Sequence, residues 1–416
     1  MELDLEAARR RAGGLAAAGA ALAKAGYGER SVCAWFGAQL VSDARFLGPP
    51  PADRSRRGLG AAIALFLAGE MLERRALSIL DDAQVDTLVA VGLLSRHGGV
   101  LRARVSITPI GGVVVCADRL DDAGVEAVGA PDLSAYNVAA CLPQLARGGT
   151  LLDVGCGAGA LSLHAARTGV RVCGTDVDPR AIRFACVNAL LNALPAAFIE
   201  GDLFAGIADR FDAVIFNAPL VRAPLAGDAP LYLKSPRGES LVVEFLAGAR
   251  ERTSVSGEAL CHTQLTPSVE AAIDAAGFPR ALSLVFADAP DGTPHALTSL
   301  RSGVPHPRAR LRTPLSPALP HLRRELFDRL HATRDLLAAG ELEFAVLRPA
   351  PWLAMVHTAV HDGATFRPRD LRFGAQRIDD ADARLLAACD GRPLGIAAAD
   401  DWNRALSLVE HGLLVA

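Results

Sequence analysis

Between Thr150 and Leu220 four apolar runs each stop at glycine, acid or amide residues, and that order constrains the fold more than any other feature of the chain. Thr150-Leu151-Leu152-Asp153-Val154 suits a buried parallel strand. It breaks into Gly155-Cys156-Gly157-Ala158-Gly159, and a helical pattern follows from Ala160 to Arg167. Glycines at a strand-to-helix turn carry no Cβ, so the backbone can approach a ligand closely. A second run, Val170 to Gly174, ends at Asp176, where a carboxylate is placed to accept from both hydroxyls of a ribose. A third, Ala197 to Glu200, ends in Gly201-Asp202-Leu203. There the Asp202 carboxylate suits an adenine amino group and the Leu203 N–H a ring nitrogen. A fourth, Phe211 to Phe216, delivers Asn217-Ala218-Pro219-Leu220. Turns at the carboxyl ends of successive parallel strands are where an open α/β sheet binds its ligands.

These motifs resemble those of the class I S-adenosylmethionine (SAM)-dependent methyltransferases, and within them the group of release-factor glutamine methyltransferases and small-domain rRNA methyltransferases. The likeness rests on Leu152 to Gly159, Gly174 to Ala181, Asn188-Ala189-Leu190-Leu191-Asn192, Gly201 to Phe204 and Asn217 to Leu220. The resemblance implies an α/β fold with a Rossmann-like, seven-stranded core and SAM as cofactor. It places Asp153, Gly155, Cys156, Gly157, Gly159, Asp176, Val177, Asp202, Leu203 and Asn217 along that cofactor.

Methyl transfer from a sulfonium is a displacement that asks the protein to align nucleophile, methyl carbon and sulfur. In the resembled group the fourth motif is Asn-Pro-Pro followed by Tyr or Phe. The Asn side chain and a backbone carbonyl accept from a planar amino group, and the ring stacks on it. This chain keeps Asn217 and Pro219 but has Ala218 and Leu220. A purine thereby loses a stacking partner worth about 1–3 kcal/mol. The change points to a differently shaped acceptor, a small molecule, amino acid or peptide methylated on nitrogen or oxygen. The alternative is the group's own rRNA or release-factor glutamine acceptor. Two rivals stand beside both: a SAM-using enzyme that methylates nothing, and a DNA-binding regulator with a degenerate SAM site. Candidate catalytic residues are Asn217, Pro219 and Tyr136, with Tyr232 and His262 behind them. In related enzymes the helix before the first strand lies beside the cofactor, so Tyr136 either touches ligand or packs at a domain junction.

A length of 416 residues calls for two or three domains, and 51% hydrophobic residues against 21% charged ones supply large cores. The net charge of -3 gives no global positive field toward nucleic acid or anionic membrane, so a nucleic-acid partner is not the first expectation. No Cys-x-x-Cys pair occurs among the eight cysteines, which read as free buried thiols. The acidic start and the short apolar run Leu59 to Gly69 fit neither a signal peptide nor a membrane span, and the expected compartment is cytoplasmic. His357 and His361 stand four apart beside Asp362, but no third ligand is evident and no metal is expected.

Three domains are expected. Residues 1–130 read as helices followed by a hairpin from Val100 to Ile107 and Val113 to Ala117, a winged-helix layout. Residues 131–305 hold the SAM-binding domain, closed by a hairpin of Ala281 to Ala287 with His295 to Arg301. The Pro- and Arg-rich stretch Val304 to Pro320 reads as a linker, and 306–416 as a small C-terminal α+β module. The acceptor is expected near Asn217, Pro219, Tyr136 and the Arg222 to Arg237 loop. The oligomeric state is not legible.

Overall fold

The computed structural model describes residues 3–44, 54–119, 126–219, 237–288, 292–306, 308–312 and 322–338. Beyond these it describes 348–349, 359–361, 365–368, 376–377 and scattered positions from 381 to 415. Contacts divide the chain into two compact units, Met1–Ala139 with Gln144–Leu241, and Ala140–Pro143 with Val242–Ala416.

The first unit opens with α1 (Leu5–Arg10), α2 (Ala12–Lys24), α3 (Glu29–Phe36), α4 (Val41–Ala44) and α5 (Leu59–Phe66). β1 (Leu72–Glu73), α6 (Asp82–Val91), β2 (Leu94–His97), β3 (Val100–Ala103), β4 (Ser106–Ile110) and β5 (Val113–Ala117) follow. The single expected hairpin is therefore two. Val100–Ala103 turns back on Leu94–His97 around Gly98-Gly99, and Ser106–Ile110 pairs with Val113–Ala117 around Gly111-Gly112. The expected run from Val100 to Ile107 breaks between them at Arg104-Val105, and Gly92 in the left-handed region stops α6 before Leu94.

Then come α7 (Leu133–Cys141), β6 (Thr150–Val154), α8 (Ala160–Ala166), β7 (Arg171–Asp176), α9 (Pro179–Leu191), β8 (Ala197–Glu200) and β9 (Phe211–Asn217). The four strands are parallel in the order β8-β7-β6-β9, so the central β6 lies between β7 and β9. Apolar strands with helical crossovers bury both faces, and Leu151, Leu152, Val214 and Ile215 are all in the core.

The N-terminal elements pack on the crossover helices of this sheet. One apolar cluster runs from Leu3, Leu15 and Leu22 through Phe66 and Val115 to Phe184, Val187 and Leu191 of α9. Helix α2 approaches α9 so closely that a Cβ on Gly19 would collide with the Leu191 carbonyl oxygen. Strand β5 docks on α9 through two asparagines one helical turn apart. Asn188 accepts from the Cys116 N–H at 2.8 Å and donates to the Cys116 carbonyl at 2.9 Å. Asn192 does the same at Val114, accepting at 2.9 Å and donating at 2.7 Å. The hairpin tip is gripped by α8, where His164 and Arg167 both reach the Gly111 carbonyl. The expected boundary at 130 thus falls inside one packed unit.

In the second unit α10 (Ser240–Arg252) leads into β10 (Thr253–Gln264), α11 (Pro267–Ala275), β11 (Arg280–Asp288), β12 (Pro294–Arg301), β13 (Ala309–Arg312) and α12 (Leu322–Ala338). Strand β12 pairs antiparallel with both β10 and β11, which places the expected closing hairpin as read. Counted with the four parallel strands of the first unit, these three bring the number to the seven expected. The eighth, β13, pairs parallel with β11 and lies in the stretch read as a linker. Helix α12 is held to β10 by Arg324, whose guanidinium meets the Glu258 carboxylate at 2.8 and 2.5 Å with both side chains buried. A buried fork of this kind is costly to break from one side, which fixes α12 on its strands. The expected boundary at 306 therefore also falls inside packed structure. Short strands β14 (Arg348–Pro349), β15 (Ala359–His361), β16 (Thr365–Pro368), β17 (Gln376–Arg377) and β18 (Leu414–Val415) end the chain. β18 returns antiparallel to β14.

Candidate functional site

The candidate site lies at the carboxyl ends of β6, β7, β8 and β9, which span roughly 14 Å at ordinary strand spacing. At the centre, Gly155, Gly157 and Gly159 hold φ of 63°, 54° and 81°, which side-chain-bearing residues rarely adopt. Around Gly157 nothing would meet an added Cβ within 4 Å, so the turn leaves open space on the ligand side. At Gly159 a Cβ would meet Phe198 at 3.0 Å, which is close packing of the helix start. Cys156 between them is buried, and burial pushes its thiol up, so it sits as a neutral packing group. No disulfide joins the seven described cysteines, four of which are buried.

On one side of β6, the Asp176 carboxylate accepts from the Gly157 N–H at 2.8 Å and the Asp178 N–H at 2.9 Å. A carboxylate offers about four lone-pair positions, so two such bonds orient it without exhausting it. Val177 beside it is 62% exposed. An apolar side chain left open beside an oriented acid suits the face and sugar of a nucleoside. Gly201 donates to the Asp176 carbonyl at 2.9 Å, tying the third turn to the second. In that third turn Leu203 holds a φ of 48°, a conformation costing about 1 kcal/mol or more for a residue with a Cβ. Its carbonyl accepts from the Thr175 hydroxyl at 2.9 Å, which holds the strained turn in place. Asp202 is paired with Arg237 at 2.6 Å, a partner that the sequence reading did not assign to it.

Asp153 lies beneath the glycine turn rather than at its surface. It is 1% exposed and accepts from the Ser162 N–H at 3.1 Å and the Ser162 hydroxyl at 2.7 Å. Burial raises its carboxyl to about 7 despite those two bonds, with the nearby Asp176 adding to the rise. It braces the glycine turn against the start of α8.

On the other side of β6, Asn217 ends β9 and donates from Nδ2 to the Ser134 hydroxyl at 2.9 Å. Ala218 is buried and Pro219 half-buried; Leu220, Arg222 and Tyr232 lie outside the described residues. Tyr136 donates to the Pro109 carbonyl at 2.6 Å and packs against the core, so its hydroxyl serves the junction with β4. His262 belongs to the second unit, buried in β10 and stacked on Phe286 at 5.4 Å. Of the histidine pair, His361 lies in β15 and His357 lies outside the described residues. Among the described residues no group of three or more His, Cys, Asp and Glu is arranged for a metal ion.

Parallel strands with a glycine turn at the centre, an oriented acid to one side and an asparagine to the other form the ligand-binding edge of an open, Rossmann-like α/β sheet. Residues 119–229 match the family described as "Methyltransferase small domain", and the strand order around them is that of a Rossmann-like, class I methyltransferase fold, whose cofactor is SAM. The ribosomal RNA small subunit methyltransferase C of Alcanivorax borkumensis is 34% identical over 133 residues, 29% of this chain and 39% of that protein. The ribosomal protein L11 methyltransferase of Thiobacillus denitrificans is 45% identical over 101 residues, 23% of this chain and 32% of that one. A release factor glutamine methyltransferase of Deinococcus radiodurans is 42% identical over 71 residues, 17% and 26% of the two chains. The matched stretches thus cover 26–39% of these three relatives' lengths. Among solved structures, a 16S rRNA N2 G1207 methyltransferase of Thermus thermophilus is 20% identical with a TM-score of 0.38, covering 59% of this chain and 69% of that one. A likeness of that size adds nothing to what the strand order shows.

Proposed function

We propose that the protein transfers a methyl group from SAM to a nitrogen in a macromolecular component of the translation apparatus. The observation that carries the reading is the strand order, which sets Asp176 and Asn217 on opposite sides of one open glycine turn. When bound, the cofactor supplies an electrophilic methyl group. Asp176 takes the ribose hydroxyls, Val177 the face of the nucleoside, and Asp202 with the Leu203 N–H the adenine edge. Asn217, on the far side of β6, accepts from the N–H of the acceptor and leaves the nitrogen lone pair directed at the methyl. The charge can then leave as a proton to solvent, so a strong base in the protein is not required.

The relatives act, by their names, on ribosomal RNA, ribosomal protein L11 and release factors, and these names favour a macromolecular acceptor over the small metabolite suggested by Leu220. The N-terminal module, with its α5–β1–α6–β2–β3 order of a winged helix, serves in this reading to present that acceptor. The β4–β5 hairpin that follows this module already reaches α8 and α9, the helices after the first two cofactor turns. Incubation with methyl-labelled SAM and ribosomal subunits or release factors from cells lacking the protein tests the proposal. Label should enter one of them with release of S-adenosylhomocysteine, and Asn217→Ala should slow transfer by about a hundredfold at nearly unchanged SAM affinity. Methylthioadenosine as the product, or no label in any fraction, overturns it.

A further inference from the structure

The direction of one hydrogen-bond chain bears on the atom that Asn217 presents. Asp132 precedes α7 and accepts from the Ala135 N–H at 3.1 Å, as a helix cap does. The same oxygen accepts from the Ser134 hydroxyl at 2.5 Å. A carboxylate has no proton to give, so the single hydroxyl proton of Ser134 is committed to Asp132. Ser134 then has only lone pairs to offer Asn217, 2.9 Å away and 83 positions along the chain. An amide has two chemically different ends, and only its NH2 can meet a lone pair. The carbonyl oxygen of Asn217 is thereby turned away from α7.

We propose that Asp132 and Ser134 are positioning residues that fix the Asn217 amide with its oxygen toward the acceptor. The inference rests on the methyltransferase reading and adds to it a requirement on the substrate. The acceptor must bring a hydrogen-bond donor to Asn217, which a primary or secondary amine or an amide nitrogen does and a carboxylate does not. Without the relay the amide samples both orientations, and in the wrong one an NH2 faces the acceptor N–H and repels it. Leu133, between the two relay residues, is 43% exposed, so the turn that carries them stands at the surface.

The test compares Ser134→Thr, which keeps the hydroxyl, with Ser134→Val, which has the same shape without it. In the full chain labelled with 15N-asparagine and saturated with S-adenosylhomocysteine, the Asn217 side-chain amide is identified by its loss in Asn217→Asp. One of its protons should be shifted downfield and exchange slowly in the wild type and in Ser134→Thr, and lose both properties in Ser134→Val. On the acceptor found by the labelling experiment, Ser134→Val should lower kcat by about 10- to 100-fold with the KM for SAM changed less than twofold. Ser134→Thr should stay within about threefold of the wild type. An amide signal indifferent to Ser134→Val overturns the relay whatever the activity does. A signal that responds while kcat does not move overturns the positioning role and leaves the methyltransferase reading intact. Absence of transfer by the wild type sinks that reading and the catalytic role with it, while the amide signal still decides the orientation.

Discussion

Asp153 and Asp202 are both strand-end acids, yet their surroundings give them opposite work. Asp153 is fully buried, and its carboxyl is raised to about 7 from the ordinary 3.8. A raised native value means that the folded state holds the proton more tightly than the unfolded one. Stability from this group is therefore greatest at low pH and falls as pH rises from about 4 to about 7. Relative to Asp153→Asn, which cannot titrate, the wild type should lose about 2–3 kcal/mol between pH 5 and pH 7.5, read from urea unfolding at each pH. Parallel curves for the two proteins would show that Asp153 does not carry the effect. Asp202 is open to solvent and held by Arg237. An exposed pair contributes at most about 1 kcal/mol, so Arg237→Ala should raise affinity for S-adenosylhomocysteine by no more than about fivefold. Asp202→Ala should lower it. A fall in Arg237→Ala would instead make the arginine a ligand contact.

At the scale of elements, the attachment of the β4–β5 hairpin to α9 is the feature with the largest mechanical consequence. Asn188 makes three buried bonds, two to Cys116 and one to the Ala158 carbonyl at 2.9 Å in the glycine turn. Asn188→Ala strands those groups and should cost about 2–4 kcal/mol of stability, with a measurable loss of S-adenosylhomocysteine affinity. Asn192→Ala breaks the pairing to Val114 and the bond to the Asn188 carbonyl, touches no group of the glycine turn, and should cost about 1–2 kcal/mol with affinity unchanged. Equal effects on affinity would separate the glycine turn from the hairpin. The sequence exposes the motif Asn188-Ala189-Leu190-Leu191-Asn192 and its four-residue spacing, yet not its use, because the strand it grips lies more than seventy positions away. Local chemistry was the legible part. The glycine turns, the Asp176 strand end and the β11–β12 hairpin follow from period and turn residues. The split of one hairpin into two hid in a single β-branched run, and β13 hid in a proline-rich stretch whose pairing partner is non-local. The Ser134 bond to Asn217 was hidden for the same reason, although Asp132-x-Ser134 ahead of a helix is itself a capping signal.

For the molecule as a whole, the first unit packs the N-terminal helices and both hairpins with α8 and α9 into one core, so the helices that follow the cofactor turns are braced by elements that precede them in the chain. The second unit is built around β10, β12 and β11 with a buried Arg324–Glu258 fork joining α12 to them. No helix among the described residues is long and apolar enough to cross a membrane. The account depends most on the cofactor, because the acceptor, the relay and the braced turns have meaning only if the carboxyl edge of β6 and β7 binds it. Titration calorimetry of the full chain with S-adenosylhomocysteine measures this directly. The account predicts saturable one-to-one binding that weakens at least tenfold in Asp176→Ala, whose carboxylate the Gly157 and Asp178 amides hold in place. No binding at near-millimolar ligand, or the same affinity in Asp176→Ala as in the wild type, would contradict it.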